Sequence, residues 1–379
     1  MPINFNEVPS ACFVLEESKL RRNLEIMKQV QDASGVNIIL ALKGFAMFST
    51  FPLIKQYLHG TTASSLNEAR LGFEEFGDEV HAYSPAWFED EFDELMTYCN
   101  HLTFNSPAQW GKFKERVMSS DKKISCAIRI NPEFSEVETD LYNPCAIGTR
   151  LGVTADQIGE TLPEGIEGLH FHTLCESDSY ALERTLKQVE ARFGHLLHQA
   201  KWLNMGGGHL MTRKGYDIEH LVSLIKRLRE KYDINIIMEP GSAVAWDTGY
   251  LTSTVQDVID SRGIYAVILD VSVAAHMPDC IEMPYKPRIL GASDAQPGQP
   301  AYRVGGTTCL AGDYVGDYHF EQALKPGDKI IFDDMMHYTM VKTTTFNGVR
   351  HPSIGIWREN DTFELVKKFG YEEYKTKLS

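Results

Sequence analysis

Two reactive side chains of this sequence stand at the ends of apolar, β-rich segments. Lys43 follows the apolar run 38–42, and Glu239 follows the run 234–238. A lysine whose base is buried has a lowered pKa and becomes a nucleophilic amine, although a lysine at a strand end is more often a solvated flank. A buried carboxylate could face a protonated ring nitrogen and keep a pyridine cofactor electron-poor, or it could form an ordinary salt bridge.

Two histidines and a run of glycines occupy similar positions. His170 and His172 end the segment 166–172, and strand alternation turns them to the same face. One of them could stack on a flat ring, while the other is more simply a hydrogen-bonded core histidine. The glycines Gly206, Gly207 and Gly208 follow the segment 201–205. Three glycines in a row cost conformational entropy, so they need a reason. A backbone cradle for a phosphate is one, and a flexible turn is the alternative.

These residues need a scaffold that brings four strand ends together. Short β-rich segments alternate with longer amphipathic ones between about residues 20 and 245. The predicted strands are residues 37–42, 60–63, 79–83, 101–104, 124–130, 166–172, 201–205 and 234–238. Eight parallel strands close a TIM-type (β/α)8 barrel, in which function collects at the carboxyl ends of the strands. The lysine, the histidines, the glycines and the carboxylate then stand on strands one, six, seven and eight, and together they are much more specific than any one alone.

A second domain is predicted because the sequence pattern changes near residue 245. Short β-rich pieces punctuated by glycine and proline recur from there to the C-terminus, as in a β-sandwich or β-barrel. The segment 11–15 also resembles a strand, and a barrel of eight strands leaves it no place. We therefore predict a barrel domain over residues 20–245 and a β domain formed by residues 1–19 and 246–379.

Length, charge and cysteine usage limit the class of protein. The chain has 379 residues, enough for two domains, and a formal net charge of −15, which argues against nucleic acid and anionic membranes as partners. No apolar run is long enough to span a membrane, and the N-terminus lacks the pattern of a signal peptide. The seven scattered cysteines fit reduced thiols in a cytoplasm, and their spacing suggests no metal site.

Motifs along nearly the whole chain resemble the fold-type III decarboxylases that use pyridoxal 5'-phosphate (PLP), the family of ornithine and diaminopimelate decarboxylases. The matching motifs are Ala41-Leu42-Lys43, Arg129-Ile130-Asn131-Pro132, Thr149-Arg150-Leu151-Gly152, Phe171-His172, Gly206-Gly207-Gly208, Glu239-Pro240-Gly241, Cys309 with Gly312-Asp313, and Tyr338. The resemblance implies that Lys43 is the Schiff-base lysine, that His172 stacks on the cofactor ring and that Glu239 faces its nitrogen. It places Arg129, Gly241, Ser242 and Tyr338 with the glycines around the cofactor.

The same resemblance implies a shared active site. Cys309 matches the catalytic cysteine that the family supplies across the interface of a homodimer, where it would protonate the carbon that loses CO2. The structural alternative is a small buried apolar residue, the usual fate of a free cysteine. The neighbouring Gly312 and Asp313 favour catalysis.

Within the family, the run from Leu269 to Tyr285 is similar to the subfamily that decarboxylates carboxynorspermidine and carboxyspermidine to norspermidine and spermidine. Such a carboxytriamine is cationic and needs carboxylates at a distance from the cofactor. The candidates are Asp279, Glu282 and Asp313, with Asp317 as a weaker one, and a solvated surface carboxylate is the alternative for Glu282 and Asp317.

The sequence departs from the family's motifs at three positions, and several alternatives to the predicted function remain. Ser242 stands where many relatives have a phosphate-binding arginine, Leu310 replaces a glutamate of diaminopimelate decarboxylases, and Leu66 replaces a lysine of ornithine decarboxylases. Another basic amino acid (diaminopimelate, ornithine or lysine) remains the alternative substrate. A racemase or a PLP-free aldolase on the same barrel, and a non-catalytic polyamine-binding homologue, are the alternatives of other classes.

Overall fold

Two compact units make up the chain in the computed structural model, which describes residues 3–137 and 139–379. One unit is Arg21–Val244, and the other combines the segment up to Leu20 with Ala245–Ser379. The first two residues of the predicted β domain, Met1 and Pro2, lie outside the described residues. Among the residues described, no helix combines the length and the apolar character that crossing a bilayer requires.

The unit Arg21–Val244 is a closed parallel barrel. Its first strand is in two pieces, Asn37–Ile38 and Leu40–Ala41, of which the first pairs with the last strand and the second with the next one. The remaining strands are Gly60–Ala63, Glu79–Tyr83, His101–Phe104, Ser125–Arg129, Ile166–His170, Trp202–Asn204 and Asn235–Met238, in that order around the sheet. The predicted (β/α)8 barrel is confirmed, with all eight strands where the apolar runs indicate them.

Helices follow the strands, and several of them begin at a polar cap. They are Glu17–Ser34, Phe51–Ile54, Leu66–Leu71, Phe92–Tyr98, Pro107–Met118, Ala155–Ile158, Ser179–Leu197, Ile218–Tyr232 and Ser242–Ala245. One π turn (Gly72–Phe76) and two 3-10 turns (Phe48–Thr50 and Asp140–Tyr142) complete the set. Ser65 caps the helix Leu66–Leu71, since its Oγ accepts the N–H of Glu68. Ser106, Asp178 and Asp217 cap later helices in the same way.

The core of the barrel consists of side chains that point inward from several strands. Ile39, Ala127, Trp202 and Ile237 form one buried cluster drawn from strands one, five, seven and eight. Strands covered on both faces need near-continuous apolar sequence, which several of these strands have. In those strands the polar residues gather at the ends, and the candidate site lies at the carboxyl ends.

The second unit is built around one mixed sheet. Its strands are Cys12–Glu16, Gly249–Ser261, Ile264–Leu269, Ala292–Asp294, Ala301–Gly305, Tyr314–Phe320, Lys329–Asp333, Ser353–Trp357 and Phe363–Lys367. Three short helices (Val273–His276, Asp279–Glu282 and Tyr371–Leu378) and the 3-10 turn Phe346–Gly348 lie between or after them. A buried cluster that includes Val14, Tyr250, Ile331 and Trp357 forms part of its core.

The segment predicted as an extra strand near residue 11 belongs to this sheet. Cys12–Glu16 pairs antiparallel with Gly249–Ser261 and parallel with Ser353–Trp357. Two further strands of this sheet show little of a strand pattern in the sequence, each for an identifiable reason. Tyr314–Phe320 contains Gly316 at φ +141°, and Ser353–Trp357 is short and begins directly after a proline, so neither shows a clear alternation.

Candidate active site

The carboxyl ends of the barrel strands surround a cavity of about 280 Å³, including its open mouth. Its walls come from strands one, two, three, five, six and eight. The lining residues are Ala41, Lys43, Thr62, Ala63, Ser64, Tyr83, Arg129, His170, His172 and Glu239. The structure thus brings together five residues that the sequence singled out, namely Lys43, Arg129, His170, His172 and Glu239.

Lys43 lies in the tight turn that follows strand one. The turn closes through bonds from the N–H groups of Gly44 and Phe45 to the carbonyl of Ala41. A Cβ atom on Gly44 would lie 2.8 Å from the Cα of Gly241, so the two glycines let the ends of strands one and eight approach closely. Burial lowers the pKa of the Lys43 amine, and Arg129 lowers it further, against the opposing charge of Glu239. A larger share of neutral, nucleophilic amine follows.

His172 stands beside this amine in a defined tautomer. Its Nδ1 accepts the backbone N–H of Gly207 at 2.9 Å, so the proton of the neutral ring belongs on Nε2. Nε2 lies 3.5 Å from Lys43 Nζ. Burial and the charge of Lys43 lower the pKa of His172 to about 3. The imidazole is therefore neutral and presents an N–H to the lysine.

Glu239 is buried, yet both of its oxygens are hydrogen-bonded. His170 Nε2 lies 3.1 Å from Oε1, and Asn204 Nδ2 donates to Oε2 at 3.0 Å. Burial alone would raise the pKa of Glu239, but the interactions with His170 and His172 hold it well below its usual range. Of the two imidazoles, His170 lies within hydrogen-bonding distance of the carboxylate, whereas Nδ1 of His172 is 3.7 Å from Oε1 and already accepts from Gly207. The site therefore holds an ionised carboxylate.

The glycine run has a structural reason in addition to any ligand. Gly206 and Gly208 adopt positive φ angles of +68° and +84°. A Cβ on Gly207 would lie 2.6 Å from the carbonyl oxygen of Glu239. The N–H groups of Gly206 and Gly207 already donate to Asn204 and His172. In this arrangement these two amides are committed to side chains, which leaves Gly208 as the member of the run to which the phosphate cradle can still be assigned.

The other predicted cofactor residues fall in both units. Arg129 Nη2 donates to the carbonyl of His172 at 3.0 Å, and its guanidinium lies 4.6 Å from the centre of the Tyr83 ring. Ser242 begins the short helix after Gly241 in the barrel unit. Tyr338 belongs to the other unit, where its φ is +53° and its ring contacts His337 edge-on.

Cys309 and Asp313 share one loop of the second unit. Cys309 is the exposed thiol among seven free cysteines, which argues against the role of a buried apolar residue. Its N–H donates to Asn347 Oδ1 at 3.1 Å. Asp313 is buried and accepts four bonds, from the N–H of Ala274, the hydroxyl of Ser272, and both the N–H and the hydroxyl of Thr308. Asp313 thereby fixes the loop that carries Cys309.

The remaining carboxylate candidates differ in their surroundings. Asp279 is buried, and its Oδ2 accepts from Tyr285 at 2.8 Å and from Thr339 at 2.7 Å. Its Oδ1 is buried without a hydrogen-bond partner among the described residues. Glu282 is exposed and pairs with Lys342. Asp317 forms a two-pronged pair with Arg303. Of these three carboxylates, Asp279 therefore has an oxygen that can accept a hydrogen bond from a ligand.

Sequence reasoning missed several residues of the site. Asn204 and Tyr83 connect its parts, since Tyr83 also donates to Asn105 at 2.8 Å, while Thr62 and Ser64 line the cavity. A polar residue that ends an otherwise apolar strand was an available signal for Asn204, which follows Trp202-Leu203. Tyr83 gave no such signal, because strand three already contains Glu79 and His81.

A second cluster of potential metal ligands lies at the opposite, amino-terminal ends of the strands. It consists of Glu79, His81 and His101, whose ligand atoms lie within 4.8 Å of one another. The two imidazole rings stack in parallel, with centroids 4.0 Å apart and an interplanar angle of 5°. A metal ion must lie near the plane of each ring that binds it, so parallel stacked rings do not converge on one ion in this arrangement. We assign no metal to this cluster.

PLP fits the main site by its chemistry. Its aldehyde reacts with a neutral amine, the form that burial favours for Lys43, and its protonated pyridine nitrogen pairs with an ionised carboxylate, the form in which Glu239 is held. The neutral imidazole of His172 lies between them, 3.5 Å from the amine and 3.7 Å from the carboxylate. A (β/α)8 barrel with this set of residues at its strand ends defines a PLP enzyme of fold-type III.

Comparisons with known proteins agree with this class. The family described as "Pyridoxal-dependent decarboxylase, C-terminal sheet domain" matches residues 30–336, so the chain belongs to the pyridoxal-dependent decarboxylase family. A carboxyaminopropylagmatine decarboxylase from Synechocystis is 51% identical and is aligned over 98% of this chain and 96% of its own. A carboxynorspermidine/carboxyspermidine decarboxylase from Campylobacter jejuni is 43% identical over 98% of both chains.

A solved structure gives the same result in three dimensions. Carboxynorspermidine decarboxylase from Campylobacter jejuni, complexed with norspermidine, superposes with a TM-score of 0.91 at 41% identity, covering 98% of this chain and 100% of the other. The predicted family and its decarboxylase activity are therefore confirmed.

Proposed function

We propose that this enzyme decarboxylates carboxynorspermidine, carboxyspermidine or both, giving norspermidine and spermidine. The observation that carries the proposal is the full-length likeness, at a TM-score of 0.91, to a carboxynorspermidine decarboxylase complexed with norspermidine. The buried set of Lys43, His172 and Glu239 supplies the chemistry that such a reaction needs.

Several residues would hold the cofactor, and each has a separate task. Lys43 would bind its aldehyde carbon, His172 would stack on its ring, and Glu239 would face its nitrogen. Gly208, Gly241, Ser242 and Tyr338 would bind the phosphate, with Gly206 and Gly207 shaping the loop and Arg129 fixing the backbone at His172. When bound, PLP supplies an electron sink for the pair of electrons that CO2 leaves behind. Glu239 stays ionised to support this because its oxygens accept bonds from His170 and Asn204.

Cys309 is the proposed proton donor to the carbon from which CO2 departs. The proposal is supported by its exposure and by the bonds of Asp313 that fix its loop. We infer a homodimer in which the Cys309 loop of one subunit completes the barrel site of the other. The β domain, residues 1–19 with 246–379, would then contribute to catalysis across the interface of that dimer.

The distal ammonium group of the substrate is proposed to bind Asp279. A carboxylate oxygen that is buried and without a partner among the described residues costs free energy, and a cationic N–H donor would remove this cost. Asp313 has four donors already, so we assign it to the loop, and Glu282, which pairs with Lys342, would act at the entrance at most. The net charge of −15 also suits a cationic substrate.

Carboxyaminopropylagmatine is the second candidate substrate, favoured by the 51% identity to the Synechocystis enzyme. It ends in a guanidinium group, which binds best to both oxygens of one carboxylate. Oδ2 of Asp279 already accepts from Tyr285 and Thr339, so a single N–H donor on Oδ1 is the better fit. The hydrogen bonds of Asp279 therefore favour an ammonium group, whereas the sequence identity to the Synechocystis enzyme favours a guanidinium group.

A substrate panel read by product decides between them. The purified enzyme with PLP is given carboxynorspermidine, carboxyspermidine, carboxyaminopropylagmatine, ornithine, lysine and diaminopimelate, and the amine products are separated by chromatography. We expect the largest kcat/KM with one of the first two compounds. A larger value with carboxyaminopropylagmatine would establish the second candidate, and turnover confined to the last three would refute both.

We place the enzyme in the cytoplasm, with small cationic amino acids as substrates and neither nucleic acid nor membrane as partner. All seven cysteines are free, as expected for a reducing compartment. Fractionation of cells and activity in the cytosolic fraction would test the location.

A further inference from the structure

Asn204 connects the glycine run of strand seven to Glu239 of strand eight through a closed ring of hydrogen bonds. Its Oδ1 accepts the N–H of Gly206 at 2.8 Å, and its Nδ2 donates to Glu239 Oε2 at 3.0 Å. The ring closes through the backbone, because the N–H of Glu239 donates to the carbonyl of Gly206 at 2.9 Å. Asn204 itself is 3% exposed and lies outside the cavity lining.

A primary amide suits this position better than a carboxylate, a shorter hydroxyl or an apolar side chain. It must accept from a backbone N–H and donate to a carboxylate at the same time. An ionised aspartate would still accept from Gly206 but would offer no donor, and it would place a second negative charge beside Glu239. A leucine would remove both bonds and leave a buried N–H and a buried oxygen with one partner fewer.

We propose that Asn204 is a positioning residue that keeps the Glu239 carboxylate ionised and in register with the glycine loop, so that both ends of the cofactor site keep one geometry. The inference rests on the proposed function only in taking PLP as the ligand. Asn204 touches neither substrate nor cofactor in this proposal, since its two side-chain bonds are to Gly206 and Glu239.

The structure offers a matched control in Gln31. This buried amide also joins two segments, accepting the N–H of Ile38 at 3.0 Å and donating to the carbonyl of Tyr57 at 2.8 Å. Its donor bond goes to a neutral carbonyl, and it does not line the cavity. Q31E and N204D therefore make the same chemical change, a buried amide to a carboxylate, with Glu239 as the neighbour in one case alone.

The experiment compares wild type, N204D and Q31E in the full-length protein. PLP affinity is measured by titrating the cofactor-free protein and following the absorbance of lysine-bound PLP, and the melting temperature is recorded in parallel. Protonation of Glu239 in the cofactor-free protein is followed by difference infrared spectroscopy, with E239Q as the reference. Because a hydrogen bond to a charged group is lost, N204D should weaken PLP binding by about tenfold or more. The infrared titration should move to higher pH by about one unit.

Q31E should lower the melting temperature but keep PLP affinity within about twofold of wild type, since loss of a remote bond acts on stability rather than on the site. If N204D does not fold, N204S replaces it, because a serine hydroxyl is too short to reach both partners. Equal PLP affinities of N204D and Q31E, or an unmoved infrared titration of Glu239, would overturn the proposal. If the wild type binds PLP through Lys43 but turns over no carboxytriamine, the proposed function is refuted. The proposal on Asn204 is not affected by that outcome. The infrared titration tests the proposal on Asn204 even if the protein binds no PLP, because it follows the protonation of Glu239 directly.

Discussion

The two units of the molecule place reactive residues in contrasting surroundings. In the barrel unit, Lys43, His172 and Glu239 lie close together, and the backbone N–H of Gly207 and the side chain of Asn204 bind to this group. In the second unit, Cys309 is exposed, and its own side chain takes no part in such a network among the described residues. Asp279 likewise keeps one oxygen without a described partner.

The difference indicates how the chemistry is divided. Cofactor residues must be in place before any ligand arrives, because a buried charge is tolerated only when its hydrogen bonds are made. Residues that meet the substrate must instead keep a donor or an acceptor available. We therefore expect substitutions of Lys43, His172 or Glu239 to affect cofactor binding, and substitutions of Cys309 or Asp279 to affect turnover or substrate binding alone.

The most severe effect is expected from Lys43→Ala. Removing the amine that is proposed to bind the cofactor should lower kcat by at least about 10³-fold, the scale seen when a covalent nucleophile is lost. The absorbance of lysine-bound PLP should disappear with it. Lys55→Ala is the matched control, because Lys55 is exposed and donates to the carbonyl of Gly77. Retained PLP absorbance in Lys43→Ala would assign the cofactor to another residue.

Cys309→Ala should lower kcat by about 10²- to 10⁴-fold, the usual contribution of a positioned proton donor. PLP affinity should stay unchanged, in contrast to Lys43→Ala. Cys145→Ala serves as the control, since this thiol is half-buried in a loop of the barrel unit.

Mixing the two inactive variants, Lys43→Ala and Cys309→Ala, tests the proposed sharing of sites. In a statistically mixed C2 dimer, one site of each heterodimer has both residues intact, so about a quarter of wild-type activity should return. No recovery after verified subunit exchange would place Cys309 and Lys43 of one site on the same chain.

The smaller effect on substrate binding is expected from Asp279→Asn. Loss of one charged hydrogen bond should raise KM for carboxynorspermidine by about ten- to a hundredfold with little change in kcat. Glu282→Gln, the comparison in the same short helix, should change KM by less than about threefold because an exposed ion pair contributes little. The reverse order of the two KM values would move the distal subsite to Glu282.

Most of the barrel could be predicted because strands covered on both faces must be apolar and because the residues at their ends stand out. Lys43 and Glu239 were visible for this reason. Strands such as Tyr314–Phe320, half-exposed and interrupted by Gly316, carry no such pattern. Whether such a segment forms a strand depends on pairing with segments distant in the sequence, which the local residue pattern does not show.

The site was predictable in its residue types and less so in their bonding. Sequence alone could not show that the N–H groups of Gly206 and Gly207 donate to Asn204 and His172, nor that Asp313 accepts four hydrogen bonds. These facts depend on side-chain directions set by tertiary packing. The roles of Asn204 and Asp279 therefore emerge from hydrogen-bond geometry.

The smallest predicted effect is a difference in acid sensitivity between the two units. Burial lowers the pKa of His101 and His172 to about 3 and of His209 to about 4 in the barrel, and that of His276 to about 4 in the second unit. Such histidines stay neutral in the native state but bind a proton when unfolded. Stability should therefore fall as pH drops below about 6.5, by up to about 1.4 kcal/mol per pH unit for each histidine.

Because more of these histidines lie in the barrel, protection against hydrogen exchange should fall more steeply there between about pH 7 and pH 5. The measurement compares peptides of Ser179–Leu197 with peptides of Gly249–Ser261 after correction for intrinsic exchange rates. His209→Gln should flatten the slope in the barrel, whatever its effect on overall stability, while His195→Gln on the surface should not. Equal slopes in both units would mean that these buried histidines do not determine the acid sensitivity of the barrel.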